Sequence, residues 1–167
     1  MPRRAERVFT VEVALMDDWG VWRRIALRGS QTLDHLHWAI YEAFDRADEG
    51  FYSFFFPRPG TRGRARLLDA QEYTSPFALE DVNHPEDEAV LNAGSARLDR
   101  LELKAGQTFY YLYDPTNACW YQVSVEEVDG ELEPGHYPRI LERQGESPPQ
   151  VPRGGKEEEE LGNGTTG

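Results

Sequence analysis

The sequence predicts an α+β fold: a largely antiparallel sheet of about five to six strands from two hairpins, with one main helix at about residues 32–46 and short helices packed on it. Two stretches of alternating polarity, near the start and near residue 115, supply the hairpins. One stretch of 3.6-residue periodicity between them supplies the helix. A doubly wound parallel sheet would instead alternate strand and helix along the whole chain.

The first strand lies over residues 8–15, where Phe9, Val11, Val13 and Leu15 share one face. Asp17-Asp18-Trp19-Gly20 has turn chemistry, and alternation resumes over 21–28, with Val21, Arg23, Ile25 and Leu27 on one face and Trp22, Arg24 and Ala26 on the other. After Gly29-Ser30 the period changes. Leu33, Leu36, His37, Ile40, Tyr41 and Phe44 fall on one helical stripe, with Ser30 or Thr32 as cap and Asp34 in the first turn. Residues 51–56 are apolar on both faces, which suits a central strand ending at Pro57.

From 58 to 87 the pattern weakens. A basic loop at 58–66 precedes a short strand contributed by Leu67, Leu68 and Tyr73, and one helical turn is expected at 77–82. Residues 95–101 predict a short helix capped by Ser95. The second hairpin pairs 109–113 with 120–128 across Asp114-Pro115-Thr116-Asn117, where Asp and then Pro suit the first two positions of a turn.

The 167 residues allow one domain of ordinary size and a tail. A domain at 7–150 and a disordered acidic Gly/Glu tail at 151–167 are expected, because the tail has almost nothing to bury. A hydrophobic content of 39% and an aromatic content of 12% support a packed core despite a mean hydropathy of −0.68. The net charge of −12 opposes nucleic-acid binding by bulk attraction. The lone cysteine, Cys119, excludes a disulfide framework and a cysteine-rich zinc site. No apolar run is long enough for a membrane span, and the first residues do not read as a cleavable signal. A cytoplasmic protein without a membrane partner is therefore expected.

Four stretches in order resemble one family. They are Val21-Trp22-Arg23-Arg24-Ile25, then Thr32-Leu33-Asp34-His35-Leu36-His37 with Ile40, then Tyr111-Leu112-Tyr113-Asp114 with Trp120, and finally Gly145-Glu146-Ser147-Pro148-Pro149. Together they resemble the plasmid open-reading-frame-3-like family, named for an Ri-plasmid reading frame, over roughly residues 9–149. The resemblance implies an α+β fold with a largely antiparallel sheet and no established biochemical activity. Some members carry a transposon-passenger label that reflects genetic neighbourhood and does not imply recombinase chemistry. The sequence departs from the family pattern where a His is expected two residues after Trp120, since Gln122 stands there. The acidic pair expected after Pro148-Pro149 is replaced by Gln150-Val151, and the His expected after the first helix is absent. If these polar positions carry an activity in relatives, most of it is lost here.

The residues themselves offer thin chemistry. His35 and His37, two apart on a helix, point about 200° from each other and cannot chelate one ion. No metal site and no cofactor are expected. His37 on the apolar stripe is expected as a hydrogen-bonded core histidine at the helix–sheet contact, and His35 as a surface residue. Asp114 before Pro115 is expected to accept backbone N–H bonds in its own turn. Cys119 beside Trp120 reads as an inert thiol. Arg58, Arg62, Arg64 and Arg66 form a loop without acids that could grip phosphates, but against the acidic background they read as a solvated insertion. Trp22 and Trp38 belong either to a protein-binding surface or to the core.

The expected function is thus a non-catalytic binding or interaction module of unknown partner, with a homodimer or a protein partner possible. The alternatives are a nucleic-acid accessory factor linked to mobile elements through the Arg loop, and an enzyme with a degenerate polar site at His37, Asp114 and Gln122.

Overall fold

The structure, a computed structural model, describes residues 6–46, 51–58, 60, 62, 68–76, 90–113 and 119–147. Strands β1 (Val8–Leu15) and β2 (Asp18–Arg28) are followed by helix α1 (Leu33–Ala43) and by β3 (Tyr52–Phe56), β4 (Gln71–Thr74) and β5 (Val90–Asn92). Then come β6 (Thr108–Tyr113), β7 (Cys119–Gly130) and β8 (Arg139–Gln144). All eight strands among the described residues join one sheet in the order β5-β4-β3-β6-β7-β1-β2-β8. Only β4 and β5 pair in parallel; the other described pairings are antiparallel.

The α+β class and both expected hairpins are present, but the sheet has eight strands among the described residues where the sequence suggested five to six. β5 and β8 were not expected, because neither alternates clearly. β5 is three residues long, and β8 reads Arg-Ile-Leu-Glu-Arg-Gln within a stretch rich in Gly and Pro. Both are edge strands, where tertiary contacts decide the outcome more than propensity does. The expected short strand near 67–73 lies at Gln71–Thr74, and Leu68 stands outside it, 82% exposed.

The main helix is shorter than the expected 32–46. Thr32 caps it: its hydroxyl accepts the His35 N–H, and His35 Nδ1 accepts the Thr32 N–H in return. His35, exposed as expected, thus also serves as half of the cap. The helix ends because Phe44 leaves helical geometry and Asp45 adopts a left-handed φ of 54°. The helix expected at 95–101 is instead two 3-10 turns, Ala93–Ser95 and Leu98–Arg100, with Asn92 rather than Ser95 as the first cap. Arg97, between them, forms a bridge to Thr32 that a continuous helix would forbid. The helical turn expected at 77–82 lies outside the described residues.

The core lies between α1 and one face of the sheet. Leu33, Leu36, Ala39, Ile40 and Ala43 of the helix meet Val11, Val13, Ile25, Leu27, Phe109, Tyr111 and Val123. Full burial of each Leu, Ile or Phe contributes roughly 1.5–3 kcal/mol, so this layer supplies the main stabilising term. Phe54, Phe56 and Phe109 extend it toward β3 as an aromatic cluster, with Phe56 and Phe109 stacked at 4.2 Å.

Candidate functional site

The helix stripe that buries leucines also carries His37 inward. Its Nδ1 lies 2.6 Å from the Tyr111 hydroxyl on β6, and its ring stacks on Tyr52 of β3 at 3.9 Å. Tyr52 in turn donates its hydroxyl hydrogen to Asp34 on α1. Burial drives the His37 imidazole down to about 3, so it is neutral at ordinary pH. The same burial drives the Tyr111 phenol well above its usual value, so it keeps its proton. With the ring neutral and the phenol protonated, one hydrogen bond joins Nδ1 and the Tyr111 hydroxyl in either imidazole tautomer. An imidazole with so little affinity for a proton is a poor general base near neutrality.

Arg23 is the second polar group drawn inside. It shares a face of β2 with Val21, Ile25 and Leu27 and is 2% exposed. Its Nε donates to the Ala43 carbonyl at 2.8 Å. One terminal nitrogen donates to the carbonyls of Trp22 and Gln144, and the other to Ser147 Oγ. The guanidinium also lies 4.7 Å from the Phe44 ring centre. Arg143 of β8 donates to the same Ala43 carbonyl at 2.7 Å. No basic residue stands in the last turn of α1, so these two strand arginines meet the negative end of its dipole. Burial, and then the nearby Arg143 charge, depress the Arg23 pKa.

The other expected site residues do not join this cluster. Gln122 alternates with Tyr121 and Val123, which pack into the core, and so stands on the opposite face of the sheet from His37. Trp120 is on that outer face, its ring 5.5 Å from Phe55. Trp22 is there too, half-buried with the Arg24 guanidinium over its ring, while Arg24 also pairs with Glu126 and Glu142. Leu36 is fully buried, and Tyr113 is buried beside Tyr41 under the Arg46 guanidinium. Asp114, Pro148, Pro149, Arg64 and Arg66 lie outside the described residues. Arg58 and Arg62 are exposed, and Arg58 Nε donates to the Asp69 carbonyl.

Among the described residues no group of three or more His, Cys, Asp or Glu is arranged to hold a metal ion. A polar groove at the foot of the first hairpin, between Glu6, Ser30, Arg97 and Asp99, is occupied by its own pairs. Ser30 bonds Glu6, and Arg97 bonds Asp99 through both Nε and a terminal nitrogen. Sequence reasoning placed Arg23 on the apolar face of its strand but drew nothing from it; a lone charge in an inward register was the available signal. It also missed Tyr111 and Tyr52 as partners of His37, which no local pattern reveals.

The geometry gives the four motif stretches a common meaning. The first meets the last through Arg23 and Ser147, and the second meets the third through His37 and Tyr111. The plasmid pRiA4b ORF-3-like protein family matches residues 7–158. The chain belongs to this family. A crystal structure of a protein of unknown function from Methanosarcina mazei Go1 is similar in fold, with a TM-score of 0.67 and 19% identity. The match covers 88% of this chain and 74% of that one. Comparison with curated protein sequences finds no match. No helix among the described residues is long and apolar enough to cross a membrane.

Proposed function

We propose that this family member is a non-catalytic binding or interaction module. The observation that carries the reading is that His37 and Arg23, two polar motif residues among those described, are enclosed and bonded to the protein's own atoms. A general acid–base pair needs a group that exchanges protons near the working pH and reaches substrate. His37 does neither, and Gln122 stands across the sheet from it.

The test is incubation of the full chain with mixtures of esters, amides, phosphate esters and glycosides, followed by mass spectrometry of the small molecules. All are expected to return unchanged. Turnover that disappears in His37→Gln or Gln122→Ala protein would overturn the reading and restore an enzyme.

A further inference from the structure

α1 buries one stripe and turns another to solvent, and Trp38 stands in the middle of the solvent stripe. It is 52% exposed, an uncommon position for the largest apolar side chain. The ring is nevertheless held in place. It stands edge-on to His37 at 4.6 Å and to Tyr41 at 5.4 Å, and His37 is itself clamped between Tyr52 and Tyr111. A partner that covers this indole therefore loses little side-chain freedom in doing so, and fixed Trp residues dominate binding energies at interfaces. Trp19, exposed to a similar degree near the first turn, makes no aromatic contact among the described residues.

The charges around the ring indicate what suits it. Asp34, which accepts from the Tyr52 hydroxyl, and Glu42 stand one helical turn before and after Trp38 on the same stripe; Asp45 follows beyond the helix end, and the next residue, Arg46, is drawn over the Tyr113 ring. An indole face attracts cations through its quadrupole, and flanking carboxylates reinforce that attraction. An apolar partner would strip water from Glu42 without compensation. A second copy of this chain, at net charge −12, would bring like charge to like charge.

We propose that the Trp38 face of α1 docks a basic segment of a partner protein, with an Arg or Lys side chain over the indole and ion pairs to Glu42 and Asp34. The proposal rests on the binding-module reading and gives that module a site and a partner class.

The experiment is a selection from a random-peptide display library on the full chain, followed by titration of the synthesised winners. Winners are expected to be rich in Arg or Lys and to weaken with added salt. They should lose about tenfold in affinity for Trp38→Leu, less for Trp38→Phe, several-fold for Glu42→Gln, and nothing for Trp19→Leu. Far-UV circular dichroism and melting of each variant separate lost binding from lost fold, and Trp38→Phe keeps the aromatic packing if the Leu variant unfolds. Winners that ignore Trp38 overturn the site but leave the binding module standing. Winners that need Trp38 but are acidic or apolar overturn the partner class. An empty selection overturns the proposal outright, whereas failure of the module reading itself would appear as turnover in the mass-spectrometric assay.

Discussion

At the scale of single residues, two buried polar side chains connect distant parts of the chain, and each makes a prediction. Arg23 brings three backbone carbonyls and a hydroxyl to one guanidinium, a task that needs its planar fork. Removing it relieves a buried charge but leaves the Trp22 and Gln144 carbonyls and the Ser147 hydroxyl without this donor, and the second effect is expected to win. Arg23→Met should lose about 2–4 kcal/mol in urea unfolding, and Arg23→Lys should not recover it. A Met variant as stable as the parent would show that the fork does not hold β8 and the helix end together. His37 makes a pH prediction. The folded value is depressed to about 3 while the unfolded value stays near 6.5, so the unfolded chain binds the extra proton in between. The His37 contribution is therefore complete above about pH 6.5 and falls by about 1.4 kcal/mol per pH unit as the pH drops toward 3. His37→Gln should flatten that part of the stability–pH curve, measured as the difference between parent and variant. Equal slopes would mean that the ring is protonated without unfolding.

At the scale of elements, the helix shows how far local chemistry reaches. Its start is written locally: Thr32 and His35 satisfy each other's backbone N–H groups, and Leu33 opens the buried stripe. Thr32→Ala should cost about 1 kcal/mol, read as a shift in the urea midpoint without a change in slope. A neutral result would assign the helix start to packing alone. Its end is not local. The periodicity runs on through Phe44, but the chain turns at Asp45 and the carbonyl of Ala43 is taken by arginines from β2 and β8. β8 illustrates the same dependence. It pairs with β2 in a register interrupted between Arg24 and Ile25, and is joined there by Arg143 to Ala43 and by Arg24 to Glu142. None of these contacts leaves a periodic trace in six mostly exposed residues.

At the scale of the whole molecule, 30 acids face 18 bases, and self-repulsion opposes the compact state. Exposed Arg–carboxylate pairs return only about 0–1 kcal/mol each. Since the Debye length falls from about 30 Å at 0.01 M to about 3 Å at 1 M, salt should screen the net repulsion more than it weakens those pairs. The melting temperature is expected to rise by a few degrees between 10 mM and 0.5 M NaCl; a fall would show that the ion pairs outweigh the net charge. Features that depend on neighbours within a few positions could be read from the residues in order. The alternation of β1, β2, β6 and β7, the apolar stripe of α1, the α+β class and the family motifs were legible because side-chain periodicity records which face is buried. Tertiary structure alone decided what depends on partners far apart in the chain. It placed β5 and β8 at the sheet edges, set Gln122 on the face away from His37, gave His37 its tyrosines and turned Arg23 into a tie between β2, β8 and the helix end. Such contacts are between single side chains and single backbone atoms, and one residue meeting one distant atom has no period for a sequence to show.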